Sequence, residues 1–334
     1  MSAAAADTGS GPPAGGGIFI TDDNLNPVVQ IITWVLLACT SLMICFRLLT
    51  RYFLTKRRFF GGWDDILLIV SYILAVGEMV AWILPQSTIF GRSLNLISRD
   101  ELAAGLKAMY AGDILFILSL GLAKLSVCAC YLNLVPANDT FHRQWSYLTA
   151  GVVVLWTMSF SLAAAFRCGI RPWWDYAAYD ETAGIMCMDQ TAFLQSISIT
   201  NILTDFGLVV IPISLLAPLS LPFRTRAGAI LIFSARALVI IPCAFQLAYI
   251  PRLADMTLDS ATNWTLNGFP YFVATQAVEF AGIAAACIIY LSPFLQSLGS
   301  GAMTARESLV SFTPKKRKQS AQAVHLGSLG SGSR

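Results

Sequence analysis

The chain has 334 residues, of which 56% are hydrophobic and only 12% charged, about half the charged share of an ordinary soluble domain. Nineteen acids against twenty-two bases leave a net charge of +3. This balance excludes a disordered chain, which needs low hydrophobicity and high charge, and a soluble monomer, which would lack polar surface; a lipid-embedded protein is the class that remains.

Residues 1–17 are rich in Ala, Gly, Ser and Pro and contain no Lys or Arg. They lack the basic start of a cleaved signal peptide, so 1–26 are expected to form a disordered leader. Seven apolar runs follow, at Val28–Leu49, Asp65–Leu84, Met109–Val135, Tyr147–Phe166, Phe193–Leu216, Ala227–Tyr249 and Pro270–Leu295. Each reaches the roughly 20 residues with which a helix crosses a bilayer core. The expected fold is all-α, a seven-transmembrane helix bundle over 27–298, with a disordered basic tail over 299–334.

Lys/Arg bias orients the bundle. Arg51, Lys56, Arg57 and Arg58 follow the first run, Arg143, Arg224 and Arg226 stand in alternate loops, and Lys315, Lys316, Arg317 and Lys318 stand in the tail. On the other side, Arg92, Arg99, Lys107, Arg167, Arg171 and Arg252 are diluted by acids. The N-terminus is therefore expected outside or in a lumen, and the C-terminus in the cytosol. The sequon Asn263-Trp264-Thr265 then lies outside, open to glycosylation, whereas Asn138-Asp139-Thr140 faces the cytosol. Cys168 and Cys187 share one outer loop, where a disulfide forms more readily than two free thiols persist. The other six cysteines fall in apolar runs and read as small hydrophobes. The tail's basic run reads as an anchor to anionic lipid.

Ionisable groups within a span are costly and are functional candidates. Arg47 and Asp65 stand at span ends, where Arg47 is expected to snorkel and Asp65 to meet water. Glu78, Asp113, Lys124, Asp205, Arg236 and Glu279 stand deeper. Asp113 and Lys124 are eleven residues apart, almost three helical turns, and share a face. Asp64, Ser71 and Glu78 step by seven and share another. Asn201 and Asp205 are one turn apart with Thr204 beside them. Glu279, Gly282 and Ala286 form a stripe suited to an inward-packed face. Two deep bases, Lys124 and Arg236, thus face four acids. Either ion pairs fix helix register, or Glu78, Asp113, Lys124, Asn201, Asp205, Arg236 and Glu279 line a polar ligand pocket, or the surplus acids stay neutral. Trp63, Trp82, Trp145, Trp173, Trp174 and Trp264 lie at span ends or in loops and suit an interfacial belt. Pro212 and Pro242 are expected to kink their spans.

No Gly-rich phosphate loop, nucleophile elbow or metal triad appears, so no metal and no cofactor is expected, and nothing suggests nucleic acid. The last span has no lysine to anchor retinal. The third span ends Tyr131-Leu132-Asn133-Leu134-Val135, without the Asp-Arg-Tyr triplet of animal rhodopsin-like receptors.

Several motifs together resemble one family. Gly62-Trp63-Asp64-Asp65-Ile66-Leu67-Leu68 is similar to the Trp-Asp-Asp opening of the second span in the fungal rhodopsin-domain integral membrane proteins. Ala123-Lys124-Leu125-Ser126, with Tyr131-Leu132, resembles their third-span signature. Cys168, Pro172, Trp174-Asp175 and Cys187-Met188-Asp189 resemble their Cys/Trp-Asp/Cys loop. Asn201-Ile202-Leu203-Thr204-Asp205, Pro212-Ile213 and Leu219-Ser220-Leu221-Pro222 resemble their most distinctive stretch, and Glu279, Gly282 and Cys287 match their last span. Departures are Gln246 or Ala248 where an arginine is usual, and Leu291-Ser292-Pro293-Phe294 where Leu-Arg-Pro-Leu is usual.

The resemblance implies a seven-span protein of a filamentous fungus, in the plasma membrane or an endomembrane, with a small, rather apolar ligand. It fixes no reaction. Family members include membrane proteins of secondary-metabolite gene clusters and receptor-like proteins. The expected function is thus to bind a lipophilic metabolite or intermediate in the bundle and convert, move or confine it. The alternative is a receptor-like sensor of an external ligand, for which a G protein would be the partner; the short cytosolic loops leave a G protein little surface to grip.

Overall fold

The computed structural model describes residues 20–55, 62–84, 89–135, 139–169, 188–216, 230, 232, 234–253 and 263–289. Seven helices carry these residues: α1 (Asn26–Thr55), α2 (Trp63–Ile83), α3 (Arg99–Leu134), α4 (Thr140–Ala165) and α5 (Gln190–Leu216), then α6 (Ala235–Leu253) and α7 (Trp264–Ile289). No strand occurs among the described residues; the extended pairing consists of isolated bridges from Asn24 to Thr21 and to Arg92. All seven helices are long and apolar enough to cross a bilayer. The fold is all-α and the protein is a multi-pass membrane protein.

Helix ends depart from the apolar runs where polar caps extend them. α3 starts ten residues before the expected Met109, because Ser98 and Glu101 form a reciprocal capping box: the Glu101 N–H donates to Ser98 Oγ at 3.2 Å and the Ser98 N–H to Glu101 Oε2 at 2.8 Å. α4 starts seven residues before Tyr147, capped by Asp139, whose Oδ1 accepts from the His142 N–H at 3.1 Å. That bond holds the half-buried Asp139 carboxyl below the usual carboxylate range. α6 is not uniform. It opens as a 3₁₀ stretch over Ala235–Val239, continues as α-helix through Ile240–Tyr249 and closes as 3₁₀ over Ile250–Leu253. Pro242 supplies no amide to this helix. Residues 227–229 and 290–295, expected in the sixth and seventh spans, lie outside the described residues.

α3 and α7 are the central helices, with 67% and 72% of their apolar windows buried against 22% for α1 and α4. Gly121 shows how closely α3 and α4 pack: a Cβ there would stand 2.1 Å from Thr157 Oγ1 and 2.9 Å from Thr157 Cβ. Small residues at such crossings let helices approach where no hydrophobic drive exists between helix and lipid. The stripe of Glu279, Gly282 and Ala286 faces inward as expected, all three being buried.

We call the face of the bundle where α1 begins the upper face. Three segments are tied together there. The Leu25 N–H donates to the Gly91 carbonyl at 2.7 Å, and the Gly91 N–H donates to the Thr265 carbonyl at 2.9 Å. Asn26 Nδ2 donates to the Phe90 carbonyl at 2.8 Å. Asn263 Oδ1 accepts from Ser93 Oγ and the Leu94 N–H, both at 3.1 Å. Gly91 has φ +82, and a Cβ on it would meet the Asn26 nitrogen at 3.0 Å, so the crossing requires glycine.

The aromatic belt holds only in part. Trp63 and Trp145 are exposed. Trp82 and Trp264 are instead buried, and Trp82 stacks on Phe90 at 4.4 Å and meets Phe272 at 5.1 Å between centroids. These rings roof the core rather than touch headgroups, because the upper-face segments fold over them. Trp173 and Trp174 lie outside the described residues.

Candidate functional site

All seven residues expected at a pocket, Glu78, Asp113, Lys124, Asn201, Asp205, Arg236 and Glu279, are buried. They form three separate groups rather than one.

The first joins α3, α5 and α6. Asp205 receives both deep bases: Arg236 Nε donates to its Oδ1 at 2.9 Å, and Lys124 Nζ lies 3.4 Å from its Oδ2. Lys124 Nζ also donates to the Asn201 carbonyl at 2.9 Å and to Thr204 Oγ1, and it sits 5.1 Å from the Trp156 ring centroid. Asn201 Nδ2 donates to Cys243 Sγ at 3.1 Å. Arg236 Nη1 and Asn201 Oδ1 are buried and have no hydrogen-bond partner among the described residues. The Asn201/Asp205 turn thus converges as its spacing predicts, but two cations share one carboxylate.

Asp113 belongs to the second group. It shares a helix face with Lys124 but pairs with Arg167, whose Nη2 lies 3.0 Å from Asp113 Oδ2. Arg167 also donates to Gln190 and stacks 4.4 Å from the Phe193 ring centroid. Arg167 is therefore a buried partner of Asp113 and not one of the outer loop charges expected from the sequence. α4 ends at Ala165, and the following turn carries Arg167 inward, where it is only 4% exposed. Asp113 opens onto a narrow cavity with room for about one water molecule, whose polar lining is completed by Ser198, Gln246 and Tyr271 and whose walls include Phe116, Ile117 and Leu194. Gln246 bridges the far side, facing Ser198 Oγ at 3.2 Å and donating to Thr275 Oγ1 at 3.0 Å.

Glu78 and Glu279 form the third group, between α2, α3 and α7. Gln276 Nε2 donates to Glu78 Oε1 at 2.8 Å. Ser119 Oγ donates to Glu279 Oε1, and Ser71 and Ser119 bond each other across the α2–α3 contact, with Ser71 Oγ 2.9 Å from the Ser119 carbonyl. Neither acid has a basic partner among the described residues. The pattern of two bases facing four acids therefore resolves unevenly.

The span-end expectations for Arg47 and Asp65 are overturned. Arg47 is 3% exposed and Asp65 is 1% exposed. Arg47 Nη2 lies 2.8 Å from Asp65 Oδ1 and 3.7 Å from Asp64 Oδ2, and its Nη1 donates to the Ala286 carbonyl at 3.3 Å. Arg51 Nη2 lies 2.9 Å from Asp64 Oδ2 and also pairs with Asp65. Two arginines on one turn of α1 match two adjacent aspartates at the start of α2, so the charges neutralise one another instead of reaching out to water. Among the described residues no three His, Cys, Asp or Glu side chains group as metal ligands.

The Fungal rhodopsin domain model matches residues 46–297. The chain belongs to this family. Its span covers every charged group just described. A biosynthetic relative, "Wortmanamides biosynthesis cluster protein C" of Talaromyces wortmannii, is 23% identical over 52% of this chain and 47% of its own, so the chain spans about half the length of that protein. "Polyenoic acids biosynthesis gene cluster protein Ba17b" of Metarhizium anisopliae is 24% identical over 81% of this chain and 74% of its own. This fungal rhodopsin-domain protein thus has relatives in secondary-metabolite gene clusters. No solved structure matches it.

Proposed function

We propose that this fungal rhodopsin-domain protein serves secondary-metabolite biosynthesis by binding the polar end of a small lipophilic metabolite or intermediate within the bundle. The observation that carries the reading is the cavity at Asp113, where four polar side chains converge between apolar walls. Small-molecule sites combine an apolar lining with a few placed polar groups, at roughly 300–1,000 Å³. The cavity has room for about one water molecule, so the ligand's polar end enters as the lining side chains part, with its apolar remainder lying between helices. Asp113 and Ser198 supply acceptors, while Tyr271 and Gln246 supply donors. The cluster membership of the two relatives supports the pathway side of the reading.

The test replaces Gln246 by leucine in the strain that carries the gene, with metabolites profiled and protein quantified in membranes. Loss of a buried hydrogen-bonding group weakens binding by about 1–3 kcal/mol, which is about fivefold to a hundredfold, so the cluster product should fall at least about fivefold while the protein persists. An unchanged product at normal protein level refutes the reading.

The proposed topology puts the upper face outside or in a lumen, with the 1–26 leader there and the 299–334 tail in the cytosol. Two modifications fit it. The Met188 N–H donates to the Arg167 carbonyl at 2.9 Å, directly beside Cys168. This supports a Cys168–Cys187 bridge, although Cys187 itself lies outside the described residues. Asn263 uses only its Oδ1 in the ties described above, so a glycan on Nδ2 leaves both bonds in place. N263Q and endoglycosidase treatment should produce the same faster-migrating band, and C168S and C187S should each abolish the mobility change caused by reductant. A wild-type protein insensitive to both reagents would argue for the opposite topology.

A further inference from the structure

The Asp113–Arg167 pair bears on what the cavity accepts. Arg167 Nη2 donates to Asp113 Oδ2 at 3.0 Å, which leaves Oδ1 to the cavity that Asp113 helps to line. Arg167 is not itself in the lining. Gln190, to which it donates, and the Phe193 ring 4.4 Å away fix it at Asp113. The other polar lining groups, Ser198, Gln246 and Tyr271, are neutral. Glu78 is bonded to Gln276 and lies outside the lining. The cavity is therefore polar without carrying a net charge.

Size, charge and hydrogen bonding then sort the ligand ends. With room for about one water molecule, the cavity suits a single polar atom, whereas a carboxylate, a phosphate or a carboxamide carries two or more. An ammonium has one polar atom, but it would meet a carboxylate that Arg167 already answers, and a charge without its own counter-charge is costly inside a membrane. A ketone or ether oxygen has no proton to give Asp113 Oδ1. A hydroxyl donates one bond and accepts two, so it donates to Asp113 Oδ1 and accepts from the neutral donors of the lining.

We propose that the cavity binds the hydroxyl end of a neutral lipophilic alcohol, and that Arg167 is the specificity-determining residue that turns amines away. This rests on the reading of the cavity as the ligand site. Arg167 acts through Asp113 and does not touch the ligand. Its guanidinium fills the counter-charge position that a cationic ligand would otherwise take, so discrimination comes from an element set against the wrong ligand.

The experiment photolabels the full chain in detergent with three alkyl diazirine probes of equal length, ending in a hydroxyl, an ammonium or a carboxylate. Site labelling is the part that an excess of the same probe without its diazirine suppresses, mapped to peptides that carry lining residues. The hydroxyl probe should label the wild type about tenfold or more above the other two. R167Q leaves Asp113 unanswered and should shift the preference to the ammonium probe. D113N leaves Arg167 unanswered and should raise carboxylate over ammonium labelling, which reads the same pair if R167Q fails to fold. No suppressible labelling of the lining by any probe overturns the ligand reading itself, and this inference with it. Wild-type labelling led by the ammonium or carboxylate probe leaves that reading standing and overturns the alcohol. Preferences that stay unchanged in the folded variants overturn the role of Arg167.

Discussion

Asp205→Asn is expected to destabilise the bundle more than any other single change at these charges. The carboxylate is 1% exposed and holds Arg236 at 2.9 Å and Lys124 at 3.4 Å, both also 1% exposed. Removing it leaves two cations buried without a counter-charge. Breaking one buried pair costs about 3–5 kcal/mol because the remaining charge is uncompensated. For a chain of this size that lowers Tm by roughly 4–7 °C, measured by tryptophan fluorescence in detergent. Lys124→Met is the informative contrast. It breaks one of the same bridges but leaves Asp205 and Arg236 as a matched pair, so it should cost well under half as much. If K124M proves as damaging as D205N, surplus positive charge is not what Asp205 controls.

Arg47→Ala is expected to cost about 3 kcal/mol or more, and Arg51→Ala less, although each change takes a counter-charge from the buried Asp64 and Asp65. Both arginines touch the same two aspartates, but Arg47 is 3% exposed while the Arg51 side chain is 32% exposed and screened by solvent. Arg47 also reaches the Ala286 carbonyl, so one side chain connects α1, α2 and α7. Arg47→Lys should recover little, since an ammonium cannot reproduce the planar fork that serves a carboxylate and a carbonyl together. Thermal melts of R47A, R47K and R51A would rank these effects. Equal losses for R47A and R51A would mean that burial does not set their weight.

Seven spans were legible because hydropathy over some 20 residues responds to the solvent, which is lipid. Their caps were less so: Ser98 and Asp139 sit in polar sequence outside the apolar runs, and each adds about two turns or more of helix. The deep charges were legible one by one, since each stands out against an apolar background. Their partners were not. Asp113 and Lys124 share a face on α3, yet Arg167 takes one and Asp205 the other, because pairing depends on how neighbouring helices are rotated. Arg167 carried one overlooked signal, its place immediately after an apolar run and directly before a loop cysteine. Ser71, Ser119, Gln246 and Gln276 carried little signal, since neutral polar groups barely mark a hydropathy profile. They make much of the polar lining and bonding between the helices.

The ties at the upper face bear on how the protein is made. Gly91 is bonded on one side to Leu25, ahead of the first span, and on the other to Thr265, at the start of the last. A ribosome delivers these segments more than 170 residues of synthesis apart, and the backbone amide of Gly91 waits for its acceptor throughout. Assembly of this face therefore waits until the start of the last span has been made. A nascent chain halted before the seventh span presents unfinished hydrogen bonds at the membrane surface, the kind of mark that a surveillance system in the membrane of synthesis is able to read.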